Sequence, residues 1–278
     1  MSRRRSLARL SLIDSHCLAG VGQGEGATYK PWLRVQDIPS LGRVHRVKGW
    51  KHGRVHHLLS DLEARVFFIY EWSLQIIDIR EQYPLLPLDE TLAIAKECGV
   101  AHPADIRSKQ PIVMTTDFVL TIKKNLATTY QARTVKYAAD LIKARTLEKL
   151  EIERRYWQAR RVDWGIVTEH QASTVLAQNV KWVHPFFRQV DLYPLDAPAI
   201  QRITADMTHR ACHSDLPLRD LARDCDEKLS LARGQGLKVV RHLLANRIWR
   251  IDMERLIRPS ERLALLDVPA DAFTVDYL

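Results

Sequence analysis

Hydrophobic and polar residues follow a strand-like alternation early in the chain. Two alternating segments, Arg43–Val47 and Arg54–Leu58, flank the glycine-bounded stretch Gly49–Gly53. This pattern predicts a β-hairpin. Its exposed face is expected to carry the basic residues Arg43, His45, Arg54 and His56.

A helix is predicted directly after the hairpin. Ser60 is followed three residues later by Glu63, which is the pattern of a capping box. The apolar residues Phe67, Phe68 and Trp72 then supply a buried side. Helix capping alone therefore accounts for Glu63.

The middle of the chain alternates between strands and helices. Strands are predicted over residues 76–83, 112–123, 131–137 and 164–168, with a short helix and loop over 88–103. A long helix is predicted over residues 139–161, with an apolar side that includes Leu150 and Trp157 and an exposed charged side that includes Glu153. This order of elements predicts an α/β fold with a mixed sheet flanked by helices.

The C-terminal third has a helical pattern. Helices are predicted over residues 199–211, 216–225 and 237–245, and Arg247–Asp252 alternates like a short strand. Three helices followed by a β wing are typical of an all-α winged-helix domain. A small three-helix bundle would show the same pattern.

These patterns predict three regions along the chain. Residues 1–28 are expected to form a basic, glycine-rich arm, residues 29–169 a catalytic domain and residues 170–278 an interaction domain. The arm carries glycines at alternate positions from Gly20 to Gly26. A phosphate-binding loop is disfavoured there because no hydrophobic strand precedes the glycines and no Gly-Lys-Ser/Thr follows them. We interpret them as positions of close backbone approach.

Composition and charge narrow the class of protein. The chain has 278 residues, of which 46% are hydrophobic and 27% are charged, as in ordinary globular proteins. No apolar run approaches the roughly 20 residues that span a bilayer, and no apolar signal core follows the basic N-terminus. We therefore expect a cytoplasmic protein without a membrane partner. The net charge of +9, from 42 basic and 33 acidic residues, is compatible with a polyanionic partner.

Glu63, Asp117, Lys136 and Thr134 are the candidate catalytic residues. Asp117 and Lys136 lie on successive predicted strands, and alternation places Thr134 on the same face as Lys136. Magnesium prefers hard oxygen ligands, which Glu63, Asp117 and the Val135 carbonyl could supply. A lysine could stabilise the negative charge that develops during phosphodiester hydrolysis. An acid on one strand and a lysine on the next occur in restriction endonucleases, but also in many unrelated proteins.

Longer motifs are more specific, and with them the chain resembles the TnsA family, the endonuclease subunits of heteromeric cut-and-paste transposases. The resemblance covers about residues 20–185. The matching segments are residues 22–24, 29–33, 53–63, 78–86, 116–118, 145–157 and 164–169.

The resemblance implies a restriction-endonuclease-like domain that nicks the 5′ ends of a transposon. The oxygen ligands and the hydrolysis of a phosphodiester predict Mg²⁺ as the cofactor, with Mn²⁺ as a possible substitute. The resemblance also implies three partners: DNA at the transposon ends, a TnsB-type transposase that cuts and joins the 3′ ends, and a TnsC-type ATP-dependent regulator. The regulator would contact the C-terminal winged-helix domain.

Position by position, Glu63 and Asp117 match the catalytic acids of the family and Lys136 matches its catalytic lysine. Thr134 departs from the family, because its better-known members have glutamine there. Threonine lacks a carboxylate or a long amide for a metal, although its hydroxyl could hold a water. Gln131 is not an obvious substitute, because alternation places it on the opposite face from Lys136.

Two other functions remain open from the sequence. One is a stand-alone restriction or repair nuclease, which would cut bare DNA without a partner. The other is a winged-helix DNA-binding regulator with a degenerate nuclease domain, for which Thr134 would be a sign of decay. Metal binding that depends on Asp117 would distinguish the regulator from both nucleases.

Overall fold

The computed structural model describes residues 12–37, 43–125 and 127–267. Its strands are β1 (His45–Lys48), β2 (Val55–Leu58), β3 (Ile76–Pro84), β4 (Thr115–Lys124), β5 (Ala127–Val135) and β6 (Asp163–Val167). Its α-helices are α1 (Leu12–Leu18), α2 (Asp61–Trp72), α3 (Leu88–Glu97), α4 (Ala144–Ala159), α5 (Thr174–Val183), α6 (Ala197–His213), α7 (Leu218–Lys228) and α8 (Gln235–Ala245). The chain divides into two units, Met1–Ala172 and Ser173–Leu278.

A mixed four-stranded sheet organises the first unit, as predicted. Its order is β3-β4-β5-β6, with antiparallel pairing between the first three strands and parallel pairing between β5 and β6. A parallel return requires a crossover connection, and α4 supplies it. The strand β5 ends at Val135, two residues earlier than the pattern predicted. Lys136 therefore follows the strand, and its backbone N–H donates to the Val167 carbonyl at 3.1 Å.

The hydrophobic core of this unit forms where α3 and α4 pack against the sheet. Val119 on β4 and Ala132 on β5 lie in one buried cluster with Ile94 of α3 and with Ile152 and Trp157 of α4. Burial of these apolar side chains is the main favourable term that holds the helices on the sheet. The predicted arrangement of helices flanking a mixed sheet is confirmed.

The predicted hairpin is confirmed, but the prediction for its exposed face is partly wrong. Strands β1 and β2 pair antiparallel, with His45 opposite Leu58. Arg54 and His56, which were expected to be exposed, are turned inward onto the carboxylate of Glu81. A carboxylate that is fully buried on β3 needs a cation and hydrogen-bond partners, and the hairpin provides them.

The predicted arm contains regular secondary structure in the part that the structure describes. Residues 12–28 contain α1 and a short 3-10 turn, while residues 1–11 lie outside the described ranges. Gly22 has a φ of 76°, and its N–H donates to the Lys30 carbonyl at 2.7 Å. A Cβ atom on Gly22 would lie 2.4 Å from Cγ of Pro84. The glycine at this position permits close backbone approach, as the sequence suggested.

The second unit is helical in its described part. The three predicted helices correspond to α6, α7 and α8, and α5 is an additional helix that the pattern did not predict. The strand predicted over Arg247–Asp252 is wrong: the described residues show one isolated bridge there, between Arg250 and Asp267. Arg247 has a φ of 59°, and the Ile248 N–H donates back to the Leu243 carbonyl at 2.8 Å. The chain therefore folds back onto α8 instead of extending.

No helix in the described ranges has the length and apolar composition needed to cross a bilayer.

Candidate active site

Asp117 and Lys136 meet at the ends of two paired strands. The Nζ atom of Lys136 lies 3.1 Å from Oδ2 of Asp117. The same oxygen accepts a hydrogen bond from the Val135 N–H at 2.7 Å, and Lys136 Nζ also donates to the Val135 carbonyl at 2.9 Å. The sheet therefore brings together the acid, the lysine and the carbonyl that the sequence singled out.

Glu63 enters from the first turn of α2. Ser60 is the N-cap, and its Oγ accepts from the Glu63 N–H at 3.0 Å. The carboxylate accepts from Ser60 Oγ at 3.1 Å and from the Leu59 N–H at 2.9 Å. In an ideal capping box the glutamate carboxylate accepts from the N–H of the N-cap residue itself. Here the Glu63 carboxylate accepts instead from the N–H of Leu59, one residue before the N-cap. The amide Nε2 of Gln82 also donates to Glu63 Oε2, at 3.1 Å.

The ionisation of Glu63 is shifted strongly. Burial and, after it, the negative charge of Asp117 raise the pKa of Glu63 to about 7, although the hydrogen bonds from Leu59 and Ser60 and the charge of Lys136 act in the opposite direction. Glu63 is 7% exposed. The charge of Asp117 thus opposes the ionisation of Glu63, and carboxylates with shifted pKa values of this kind are common at functional sites.

Lys136 is shifted in the direction that keeps it charged. Burial alone would lower the pKa of Lys136, but the charge and hydrogen bond of Asp117, together with the charges of Glu153 and Glu63, outweigh burial and raise the pKa. At neutral pH the side chain is therefore a cation. This fits a role in charge stabilisation better than a role as a general base.

Glu153 is a buried acid at this site that the sequence analysis placed on an exposed helix face. It is 4% exposed, and its Oε1 accepts from Thr116 Oγ1 at 2.7 Å, from Trp164 Nε1 at 3.1 Å and from Thr134 Oγ1. Burial raises the pKa of Glu153 to about 7, and the charge of Asp117 contributes in the same direction. The hydroxyl of Thr134 is therefore committed to Glu153 in this structure.

The prediction for Glu153 was wrong although a usable signal was present. Leu150 and Trp157 were both expected on the apolar side of the long helix, and both are buried. Glu153 lies three residues after Leu150 and four before Trp157, and residues at these spacings share a helix face. The spacing thus indicated burial, whereas residue type alone suggested exposure.

A cavity of about 360 Å³ opens beside these residues. Its lining includes Asp117, Thr134, Lys136, Lys149 and Glu153. Lys149 is exposed on α4 and forms no ion pair with any residue that the structure describes. Two lysines therefore face the space next to Asp117.

The donor atoms present fit a magnesium ion. The Oδ1 atom of Asp117 accepts no hydrogen bond from any described residue, so it is free for a cation. Glu63 contributes a second carboxylate and Val135 a carbonyl. No group of three or more His, Cys, Asp or Glu residues suited to a metal occurs within the described ranges. Magnesium commonly binds through one or two carboxylates, waters and substrate oxygens, which matches this donor set.

Acidic side chains and a lysine at the ends of two central strands of a mixed sheet, beside an open cavity, fit an endonuclease domain. Comparison with known proteins agrees with this class. The family model described as "TnsA-like endonuclease N terminal" matches residues 73–169, and the model described as "TnsA endonuclease C terminal" matches residues 171–253.

The chain is also similar to the Transposon Tn7 transposition protein TnsA of Escherichia coli. The two are 39% identical over 242 residues, which cover 87% of this chain and 86% of the relative. This chain therefore belongs to the TnsA family. The predicted function as an endonuclease subunit of a transposase is confirmed at that level.

Proposed function

We propose that this chain is a magnesium-dependent, restriction-endonuclease-like enzyme that nicks the 5′ strands at transposon ends. A TnsB-type partner transposase would cut and join the 3′ strands. The observation that carries this proposal is the pairing of buried Glu63 with Asp117, next to the cationic Lys136, at an open cavity. The similarity to a transposition protein over most of the chain supports the substrate.

Glu63, Asp117 and the carbonyl of Val135 would hold the metal. When bound, magnesium polarises the phosphate and lowers the pKa of a bound water. Asp117 Oδ1 is the available oxygen, since Oδ2 already accepts from Val135 and Lys136. Glu63 is held by donors from its own helix start and from Gln82, so its carboxylate is oriented in advance.

Lys136 would stabilise the negative charge on the phosphate in the transition state. Its ammonium group is fixed by Asp117 and by the Val135 carbonyl, so it requires little reorganisation during the reaction. Lys149, which also lines the cavity, would contact a neighbouring phosphate. A duplex backbone could then cross the cavity between the two lysines.

Thr134 would act through Glu153 and not as a metal ligand. Its hydroxyl donates to Glu153, which also accepts from Thr116 and Trp164. This network fixes the end of β5 against α4, directly before Val135 and Lys136. The position at which better-known family members have glutamine would here support the backbone of the site.

The second unit would serve as a winged-helix interaction domain for a TnsC-type ATP-dependent regulator. The match of residues 171–253 to the C-terminal TnsA model supports a dedicated second domain. Its described helices are compatible with the helical part of a winged helix, although no regular wing is present in residues 173–267.

A paired-end cleavage assay tests this function. The chain is incubated with transposon-end DNA, Mg²⁺ and the partner transposase, and 5′ nicks are counted with and without the partner. Asp117→Ala should lower 5′ nicking more than about 100-fold, because a metal ligand is lost. Asp89→Ala, which changes an exposed acid on α3, should nick at the native rate.

Three results would contradict the proposal in different ways. Full 5′ nicking by Asp117→Ala would refute the assigned site. Rapid cutting of bare DNA without any partner would identify a stand-alone nuclease. Absence of Asp117-dependent Mn²⁺ binding in calorimetry would identify a regulator with a decayed nuclease domain.

A further inference from the structure

Gln82 has an unusual backbone conformation for a buried strand residue. Its φ is 48°, and its side chain is 2% exposed. Non-glycine residues seldom adopt positive φ because the side chain crowds the backbone. The other such residues in the described ranges are all exposed or half-buried: Lys109, Asn125, Arg161, Ser230 and Arg247. Among the described residues, Gln82 is therefore the one non-glycine residue that has a positive φ and is also buried.

The strain occurs directly beside the candidate site. In the pairing of β3 with β4, Glu81 lies opposite Phe118 and Tyr83 lies opposite Thr116. Gln82 is thus opposite Asp117. Its carbonyl accepts from the Trp32 N–H at 3.1 Å, which fixes the distorted backbone from outside the sheet. Strained residues of this kind tend to cluster at functional sites, where the surrounding structure holds them.

The side chain of Gln82 is fixed at both ends of its amide. Oε1 accepts from Thr115 Oγ1 at 3.3 Å, and Nε2 donates to Glu63 Oε2 at 3.1 Å. The oxygen faces a hydroxyl and the nitrogen faces a carboxylate, so this orientation matches donors with acceptors.

Gln82 also connects two separate structural elements. The other donors to the Glu63 carboxylate, Leu59 and Ser60, belong to the start of the same helix. Among the described residues, Gln82 alone links this carboxylate by a hydrogen bond to the sheet that carries Asp117. This amide therefore connects the Glu63 carboxylate to the strand position opposite Asp117.

We propose that Gln82 is a positioning residue that sets the Glu63 carboxylate against Asp117 for metal binding. The inference rests on the proposed function, since it assumes that both acids hold the metal. Groups that orient a metal ligand typically contribute 10–100-fold to metal affinity. The proposal also gives a role to part of the motif at residues 78–86, which the proposed catalytic residues leave unexplained.

Metal binding without catalysis tests this role. Mn²⁺ is titrated calorimetrically into the full chain, with the native protein compared with Gln82→Met, Glu63→Gln and the double variant. Methionine keeps the length of the side chain but removes the donor. We expect Gln82→Met to weaken Mn²⁺ binding about 10-fold. In the Glu63→Gln background the same change should alter affinity less than about twofold, because the affected ligand is already gone.

Two further variants separate positioning from folding. Gln82→Asn retains an amide and tolerates the left-handed backbone, but it is one methylene too short to reach Glu63. It should therefore keep the native melting temperature and lose Mn²⁺ affinity as Gln82→Met does. Gln131→Met makes the same chemical change on β5, on the opposite face from Lys136, and should bind Mn²⁺ as the native chain does.

Native Mn²⁺ affinity in both Gln82→Met and Gln82→Asn would overturn the positioning role. An equal loss with and without the Glu63 carboxylate would do so as well, since the effect would not pass through Glu63. If Asp117→Ala loses Mn²⁺ binding while both Gln82 variants keep it, only this inference fails. If native protein shows no Asp117-dependent binding, the proposed function fails together with it.

Discussion

Glu81 and Glu63 are both buried glutamates, but their surroundings differ. Glu81 is fully buried on β3, where Arg54 and His56 contact its carboxylate and the His57 N–H donates to it at 3.1 Å. Burial alone would raise the pKa of Glu81, but these partners lower it to about 2. Glu63 receives only uncharged donors and faces the like charge of Asp117, and its pKa rises to about 7.

The difference shows how the same residue type serves two purposes. A buried carboxylate with its own cation, as Glu81 has in Arg54, is electrostatically complete and holds two elements together, here the hairpin and β3. Glu63 lies against another acid and, among the described residues, has no cation bonded to its own carboxylate, since Lys136 is bonded to Asp117, so it is incomplete until a further cation binds. Glu81 is therefore best understood as structural, and Glu63 as part of a binding site.

Removing a cation from the complete site should have the largest effect on stability. Arg54→Met leaves Glu81 buried with one charged partner fewer, and loss of one member of a buried pair typically costs about 3–5 kcal/mol. Denaturant unfolding of the metal-free chain would measure this loss in the free energy of unfolding. Arg46→Met, on the exposed side of β1, should change it by less than about 0.5 kcal/mol. A loss below about 1 kcal/mol for Arg54→Met would mean that Glu81 does not depend on its cation.

Stability should also depend on pH in opposite directions for the two kinds of buried carboxylate. Glu153 represents the second kind, because it is buried and receives, among the described residues, only uncharged donors, as Glu63 does. Glu81 has a lowered pKa, so its contribution to stability is present above about pH 4.5 and is lost as pH falls toward 2. Glu153 has a raised pKa, so the folded state retains a proton that the unfolded state releases between about pH 4.5 and 7. Its contribution therefore declines as pH rises through that range.

Glu153→Gln should remove the second of these slopes. The free energy of unfolding of the metal-free chain should fall between pH 5 and 8 in the native protein. This fall should exceed that of the variant by an amount on the order of 2 kcal/mol. Glu151→Gln, on the solvent side of the same helix, serves as the control and should keep the native slope in this range. Parallel slopes in native and Glu153→Gln protein would show that Glu153 is ionised in the fold at neutral pH.

The incomplete site was easier to predict from the sequence than the complete one. Strand alternation and strand order placed Asp117 near Lys136, because both are properties of local pattern and sheet pairing. The contacts of Glu81 with Arg54 and His56 depend on how the hairpin packs on β3, more than 20 residues away in sequence. Local pattern identifies the face of a strand but not the element that covers that face.

The burial of Glu153 and the backbone conformation of Gln82 also show how far local sequence pattern can predict the structure. The helical spacing of Leu150, Glu153 and Trp157 did indicate a buried acid, but glutamate is so often exposed that residue type prevailed. The left-handed conformation of Gln82 has no such signal, since neither glycine nor asparagine marks the position. Its conformation is imposed by tertiary contacts with Trp32, Glu63 and Thr115.

The basic residues of the first unit, like its buried acids, include one with an internal partner of opposite charge and one without. Removing the unpaired basic residue is the change with the smallest predicted effect. Arg54 is committed to Glu81, whereas Lys149 faces the cavity and pairs with no described carboxylate. A lysine without an internal partner is available for a DNA phosphate. Its removal should then be visible in the salt dependence of DNA binding and not in stability.

Lys149→Gln should reduce the slope of log affinity against log salt by about 0.9, the value expected for one phosphate contact on duplex DNA. Lys124→Gln is the matched control, because Lys124 is also exposed and lies seven residues from Asp117 along β4, about 23 Å away. Fluorescence anisotropy over a series of salt concentrations measures both slopes. An unchanged slope for Lys149→Gln would leave Lys149 as a solvated surface charge, and the duplex would then have to pass the cavity along another side.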